Sequence, residues 1–135
     1  MNIMRITITM MMLFSAASLV PAQQFTSTFD ISAKETRTLM GKDTNVVVLD
    51  VRSPREYVGE RIADTPLMPL QYLERKIRDL EKYKSKTIIV YCYSGNRSEL
   101  AVEILREYGF KALNMRGGIL RWKAEQYPVI SGPVQ

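Results

Sequence analysis

TIIVYCYSGNRSEL, residues 87–100, joins a run of β-branched and aromatic residues to a short polar loop and then to the start of an amphipathic segment. Ile88, Ile89 and Val90 are apolar without alternation, the pattern of a parallel strand covered on both faces. Gly95 supplies a turn, and from Asn96 onward Leu100, Ala101, Ile104, Leu105 and Tyr108 fall on one face of a helix that Gly109 is suited to terminate. Strand, loop and helix in that order make half of a βαβ unit, so the expected fold class is α/β.

The same rhythm extends to both sides. Ser32 and Glu35 have the spacing of a capping box, which starts a helix ending near Gly41. Val46 to Leu49 is a second continuous apolar run that stops at Asp50. Ser53, Pro54 and Glu56 repeat the helix-start signal, with proline where its missing N–H costs nothing. Residues 59–69 lack a period and are expected to form a surface connection, with a brief strand around Leu67 and Met68. Leu70, Leu73, Ile77 and Leu80 mark one face of a helix reaching about Tyr83. Ala112 to Met115 reads as a third strand, Gly117-Gly118 as a turn and Ile119 to Gln126 as a last helix before Pro128, with a loose tail from Ser131.

A chain of 135 residues with 46% hydrophobic and 24% charged residues has the make-up of one globular domain. The N-terminus departs from it: Arg5 is followed by an apolar run from Ile6 to Val20, interrupted by Thr7, Thr9, Ser15 and Ser18. That run is shorter than a spanning helix needs, and Val20 and Ala22 occupy the small-residue positions before a signal-peptidase cut. Residues 1–22 are therefore expected to be a signal peptide, with residues 23–135 exported as the domain, most simply to a bacterial periplasm. No membrane insertion is expected after cleavage. The net charge of +5 falls to +4 on loss of Arg5, and its basic residues are dispersed, which argues against nucleic acid and suits a small anionic substrate.

One cysteine and no histidine remain to be explained. A single cysteine excludes an internal disulfide, and the missing imidazole removes the commonest base and metal ligand. Free cysteines often fill cores, but Cys92 stands just past its apolar run and is followed by loop chemistry. In open parallel sheets ligands bind beyond the strand C-termini, where unpaired helix N–H groups attract anions. A cysteine placed there is expected to be acidified by the helix terminus and by Arg97, with Gly95 letting successive N–H groups turn inward as an anion nest. Asp50 and Arg52 are read as an ion pair securing the loop after their strand, Trp122 as core packing and Arg116 as a solvated surface residue.

From about Phe29 to Val129 the chain resembles a single-domain rhodanese of the thiosulfate sulfurtransferase family, exported type. The segments that carry the resemblance are Val48-Leu49-Asp50-Val51-Arg52, Glu56-Tyr57, Ile89-Val90-Tyr91-Cys92, Gly95-Asn96-Arg97-Ser98, Gly109-Phe110, Gly117-Gly118 and Trp122. It implies a three-layer domain with a central, mainly parallel sheet flanked by helices. It also implies a nucleophile at Cys92 and a substrate-binding loop of Tyr93, Ser94, Gly95, Asn96, Arg97 and Ser98. Sulfur would pass from a small anionic donor such as thiosulfate, through a Cys92 persulfide, to a thiol or cyanide, with no cofactor or metal. Two departures stand out: Gly59-Glu60-Arg61-Ile62 and Asp64-Thr65 replace the usual Gly-His-Ile and Gly-Ala, and Tyr93 follows the cysteine where arginine is frequent. The alternatives are a non-catalytic sulfur-carrier or protein-binding module of the same fold, and a related cysteine phosphatase or arsenate reductase. Against the last, four residues separate Cys92 from Arg97, whereas the resemblance assigns five to the phosphatases.

Overall fold

The computed structural model describes residues 28–134; the N-terminal apolar run and the expected cleavage site lie outside them. Four strands form one sheet in the order β1-β4-β3-β2, every pair parallel. They are β1 (Asp30–Ile31), β2 (Val46–Asp50), β3 (Thr87–Tyr91) and β4 (Lys111–Met115). The helices are α1 (Ala33–Met40), α2 (Pro54–Gly59), α3 (Asn96–Glu107) and α4 (Gly118–Ala124).

The absence of alternation in the two long apolar runs follows from the layers. Ile88, Val90 and Cys92 share one core with Ala101, Val102 and Leu105 of α3, while Ile89 and Tyr91 share another with Ala33 of α1 and Ile119 and Trp122 of α4. Successive side chains of a strand point to opposite faces, so β3 is apolar throughout because both of its faces are buried. Each large apolar side chain so enclosed contributes roughly 1.5–3 kcal/mol relative to exposure.

Both capping boxes form, at Ser32 with Glu35 and at Ser53 with Glu56. Gly109, at φ +84°, ends α3 in a Schellman motif in which Gly109 N–H bonds Arg106 O and Phe110 N–H bonds Leu105 O, each at 3.0 Å.

Three expectations need correction. The segment from Leu70 to Tyr83 is two 3-10 turns, Leu70–Tyr72 and Ile77–Tyr83, rather than one α-helix. Leu70 and Leu73, and likewise Ile77 and Leu80, are three residues apart, the spacing that a 3-10 turn eclipses on one side. The connection after α2 is not a surface loop: Arg61, Ile62, Thr65 and Met68 are buried. Arg61 lies over the Tyr57 ring and donates to Tyr57 O and Gly132 O, while Thr65 Oγ1 sits between Ile62 O and Tyr91 Oη. The departure noted in this connection is therefore built into the packing through Arg61 and Thr65. For the same reason the tail is tied at Gly132, which accepts from Arg61 and donates to Val58 O (2.9 Å).

Candidate active site

Cys92 follows β3 directly and is buried, with 1% of its surface exposed. The chain then turns through Tyr93, Ser94 and Gly95 into the first turn of α3, so the amide groups of that turn converge on the sulfur. Gly95 N–H donates to Cys92 Sγ at 3.1 Å, and Ser98 Oγ lies 3.3 Å from it. Gly95 sits at φ +108°, a conformation available to glycine without strain.

A second element orients the loop. At the N-terminus of α4, Ile119 N–H donates to Cys92 O (2.9 Å) and Leu120 N–H to Tyr93 O (3.1 Å). In a trans peptide the N–H points opposite to the C=O, so anchoring these two carbonyls on α4 turns the following amides, including Ser94 N–H, back toward the sulfur. The approach is close enough to require Gly118 at φ +59°: a Cβ there would lie 2.3 Å from Tyr93 O and 2.5 Å from Cys92 O.

Two opposed effects set the acidity of the thiol. Burial alone would push it up, but the Ser98 hydroxyl and the N–H groups of Ser98, Gly95 and Ser94 outweigh burial and hold it below its ordinary value. Arg97 takes a different part from the one its sequence position suggested. Its guanidinium forks onto Glu56, Nη1 to Oε2 at 2.8 Å and Nη2 to Oε1 at 2.7 Å, instead of lying on the sulfur. Glu56 raises the Arg97 pKa first, burial opposes it, and the Cys92 charge adds a lesser increment. Sequence reading paired Arg97 with the thiol because Glu56, 41 residues away, offers no local signal.

The pair predicts an acid-dependent stability term. Hydrogen bonds from Arg97, opposed by burial and aided by Ser53, lower the Glu56 carboxyl to about 2. A depressed folded-state pKa stabilises the fold above the unfolded value, so the contribution is complete above pH ~4.5 and lost as pH falls toward 2. Urea unfolding of wild type and Glu56→Gln between pH 2 and 7 is expected to give stabilities that converge near pH 2, move apart as pH rises to ~4.5 and stay a constant distance apart above it. Stabilities that run parallel over the whole range would contradict the assignment.

The remaining loop side chains diverge. Tyr93 is 51% exposed, and Ser94 and Asn96 are also on the surface, so Cys92, Gly95 and Ser98 are what the fold brings together. Asp50 and Arg52 form the anticipated ion pair (2.7 Å) at the end of β2; Arg52 also donates to Glu60 O. Arg116 is exposed, as read. Two residues near the site were missed: Asn114 of β4, 2.6 Å from Ser98 Oγ, and Asp30 of β1, which accepts from Asn114 Nδ2 at 3.3 Å. A polar residue within the apolar β4 run was the available signal. Among the described residues no cluster of three or more His, Cys, Asp or Glu side chains is placed to hold a metal ion, and no helix is long and apolar enough to cross a membrane.

Against known proteins, the rhodanese-like domain family model matches residues 32–125, which is most of the chain. The chain belongs to the rhodanese-like domain family. A sulfurtransferase of Allochromatium vinosum is 33% identical over 88 residues, covering 64% of this chain and 80% of that protein. The uncharacterized protein slr1261 of Synechocystis is 37% identical over 101 residues, 74% of this chain and 55% of its own length, so the chain spans about half the length of that relative. The crystal structure of a rhodanese-related protein from Thermoplasma volcanium superimposes with a TM-score of 0.68 at 36% identity, over 75% of this chain and 96% of that one. The fold is thus the rhodanese-like parallel sheet flanked by helices, and the chain's relatives include proteins named for sulfur transfer.

Proposed function

We propose that this rhodanese-like domain transfers a sulfane sulfur through a persulfide on Cys92, with loop residues 93–98 as its binding site. The observation that carries the reading is the convergence of Gly95 N–H and Ser98 Oγ on a buried sulfur whose acidity is enhanced. A sulfur confined to core packing has no need of donors directed at it. In the first half-reaction the Cys92 thiolate attacks the outer sulfur of thiosulfate. A new S–S bond forms, the donor's S–S bond breaks, and sulfite leaves with the electron pair. The loop N–H groups then hold the anionic persulfide without an imidazole. In the second, cyanide or a thiolate attacks the outer sulfur and Cys92 departs as the thiolate, which needs no proton from a general acid.

Exposed Tyr93 supplies no cation, and Arg97 is engaged by Glu56, so the loop's grip on a dianion rests on N–H groups. Thiosulfate-to-cyanide turnover tests the reading. Ping-pong kinetics with thiocyanate as product supports it, and absence of turnover with thiosulfate and with low-molecular-weight persulfide donors alike contradicts it. The apolar N-terminal run supports export to a periplasm with cleavage after Ala22. N-terminal sequencing of the exported protein is expected to begin at Gln23, and an intact Met1 would overturn that part.

A further inference from the structure

Ser98 Oγ has one proton and three acceptors in reach: Asn114 Oδ1 at 2.6 Å, Gly95 O at 3.1 Å and Cys92 Sγ at 3.3 Å. A hydroxyl donates once, so these interactions compete. The Asn114 amide is not free to relieve the competition by turning over. Its Nδ2 faces two oxygens, Asp30 Oδ1 and Gly95 O, each at 3.3 Å, and the reversed amide would set a third acceptor against them. Asp30 therefore fixes Asn114 with Oδ1 toward Ser98, from a strand three positions away in the sheet order from β2.

We propose that Asn114, oriented by Asp30, is a positioning residue that competes with the Cys92 sulfur for the single Ser98 proton and so restrains ionisation of the nucleophile. With Cys92 as the neutral thiol, the Ser98 hydroxyl makes its short bond to Asn114. When the Cys92 proton leaves to solvent, the hydroxyl turns to the thiolate, and Asn114 Oδ1 loses a donor inside the protein. That loss opposes ionisation by the cost of an unmet buried acceptor. Of the charged groups near the pocket, Arg97 is paired with Glu56 and also feels the Cys92 charge, Asp50 is paired with Arg52, and Asp30 lies behind Asn114. The inference rests on Cys92 as the nucleophile of the proposed transfer, but concerns its ionisation rather than turnover.

The consequence has an unusual sign: removing a polar neighbour makes the thiol more acidic. In Asn114→Leu, which keeps the branched shape and number of side-chain atoms but is bulkier, Ser98 can donate to sulfur without forfeiting another partner. Gly95 O retains its bond from Glu99 N–H (3.1 Å). The test is the pH profile of iodoacetamide alkylation of Cys92, measured without any sulfur donor, alongside thermal unfolding. The midpoint is expected to fall in Asn114→Leu and Asn114→Ala, and the rate at a fixed pH below it to rise about twofold: roughly threefold from more thiolate, less the lower nucleophilicity of a more acidic thiol. Ser98→Ala is expected to raise the midpoint, and adding Asn114→Leu to Ser98→Ala to leave it where Ser98→Ala put it. A midpoint that is unmoved or raised in cooperatively folded Asn114 variants overturns the proposal. So does loss of cooperative folding in both Asn114 variants, which would make the amide a packing element. Because no donor is present, failure of sulfur transfer and failure of this inference are read separately.

Discussion

Cys92→Ser is expected to fold and to lose sulfur transfer by about a thousandfold or more. The smaller oxygen still accepts from Gly95 N–H and lies within reach of Ser98, so the loop keeps its partners. The chemistry has no such substitute. The same N–H groups that stabilise a thiolate leave an alkoxide scarce at neutral pH, and oxygen does not form the S–S bond that stores the transferred atom. Thiocyanate release from thiosulfate and cyanide is the measurement, with circular dichroism as the control for folding. Activity within tenfold of wild type would remove Cys92 from the mechanism.

The second large effect lies outside the loop. Gly118→Ala places a methyl group 2.3 Å from Tyr93 O and 2.5 Å from Cys92 O, at a position whose φ is +59°. Backbone carbonyls cannot swing aside as the end of a flexible side chain does. Overpacking and left-handed strain together are expected to cost about 3 kcal/mol. For a domain of this size that corresponds to a fall in thermal midpoint on the order of 15 °C. Transfer should suffer as well at temperatures where the variant is still folded, because α4 no longer anchors the carbonyls of Cys92 and Tyr93 and the amides lose their aim. Thermal unfolding together with transfer rates at low temperature checks both. A variant with wild-type stability and turnover would mean that α4 does not set the loop geometry.

What the sequence disclosed, and what it withheld, divides along the range of the interactions. β2, β3, α1, α2 and α3 were legible because their patterns are local: uninterrupted apolar runs for the strands, helical spacing for α3, and capping boxes completed within three residues for α1 and α2. β1 is only two residues long and has no period to read. The 3-10 turns share the three-residue apolar spacing of an α-helix, so pattern alone does not separate them.

At the site, the Cys92 position and the turn at Gly95 could be read from the loop itself. The partners that complete the site could not: Glu56 meets Arg97 across 41 residues, and Asp30 meets Asn114 across 84. Gly118 looked like an ordinary turn residue, since its need for no side chain arises from a loop more than twenty positions earlier. Arg61 and Thr65 likewise appeared as loop polarity, although the fold buries both against Tyr57 and Tyr91.

Whether Cys92 stores sulfur is tested most directly by mass spectrometry of the protein after exposure to thiosulfate. The predicted result is the mass of one added sulfur atom, localised to the peptide containing Cys92, removed by cyanide and absent from Cys92→Ser. A wild-type protein that remains at its unmodified mass with thiosulfate and with low-molecular-weight persulfide donors, while its Cys92 still reacts with iodoacetamide, would contradict the persulfide mechanism.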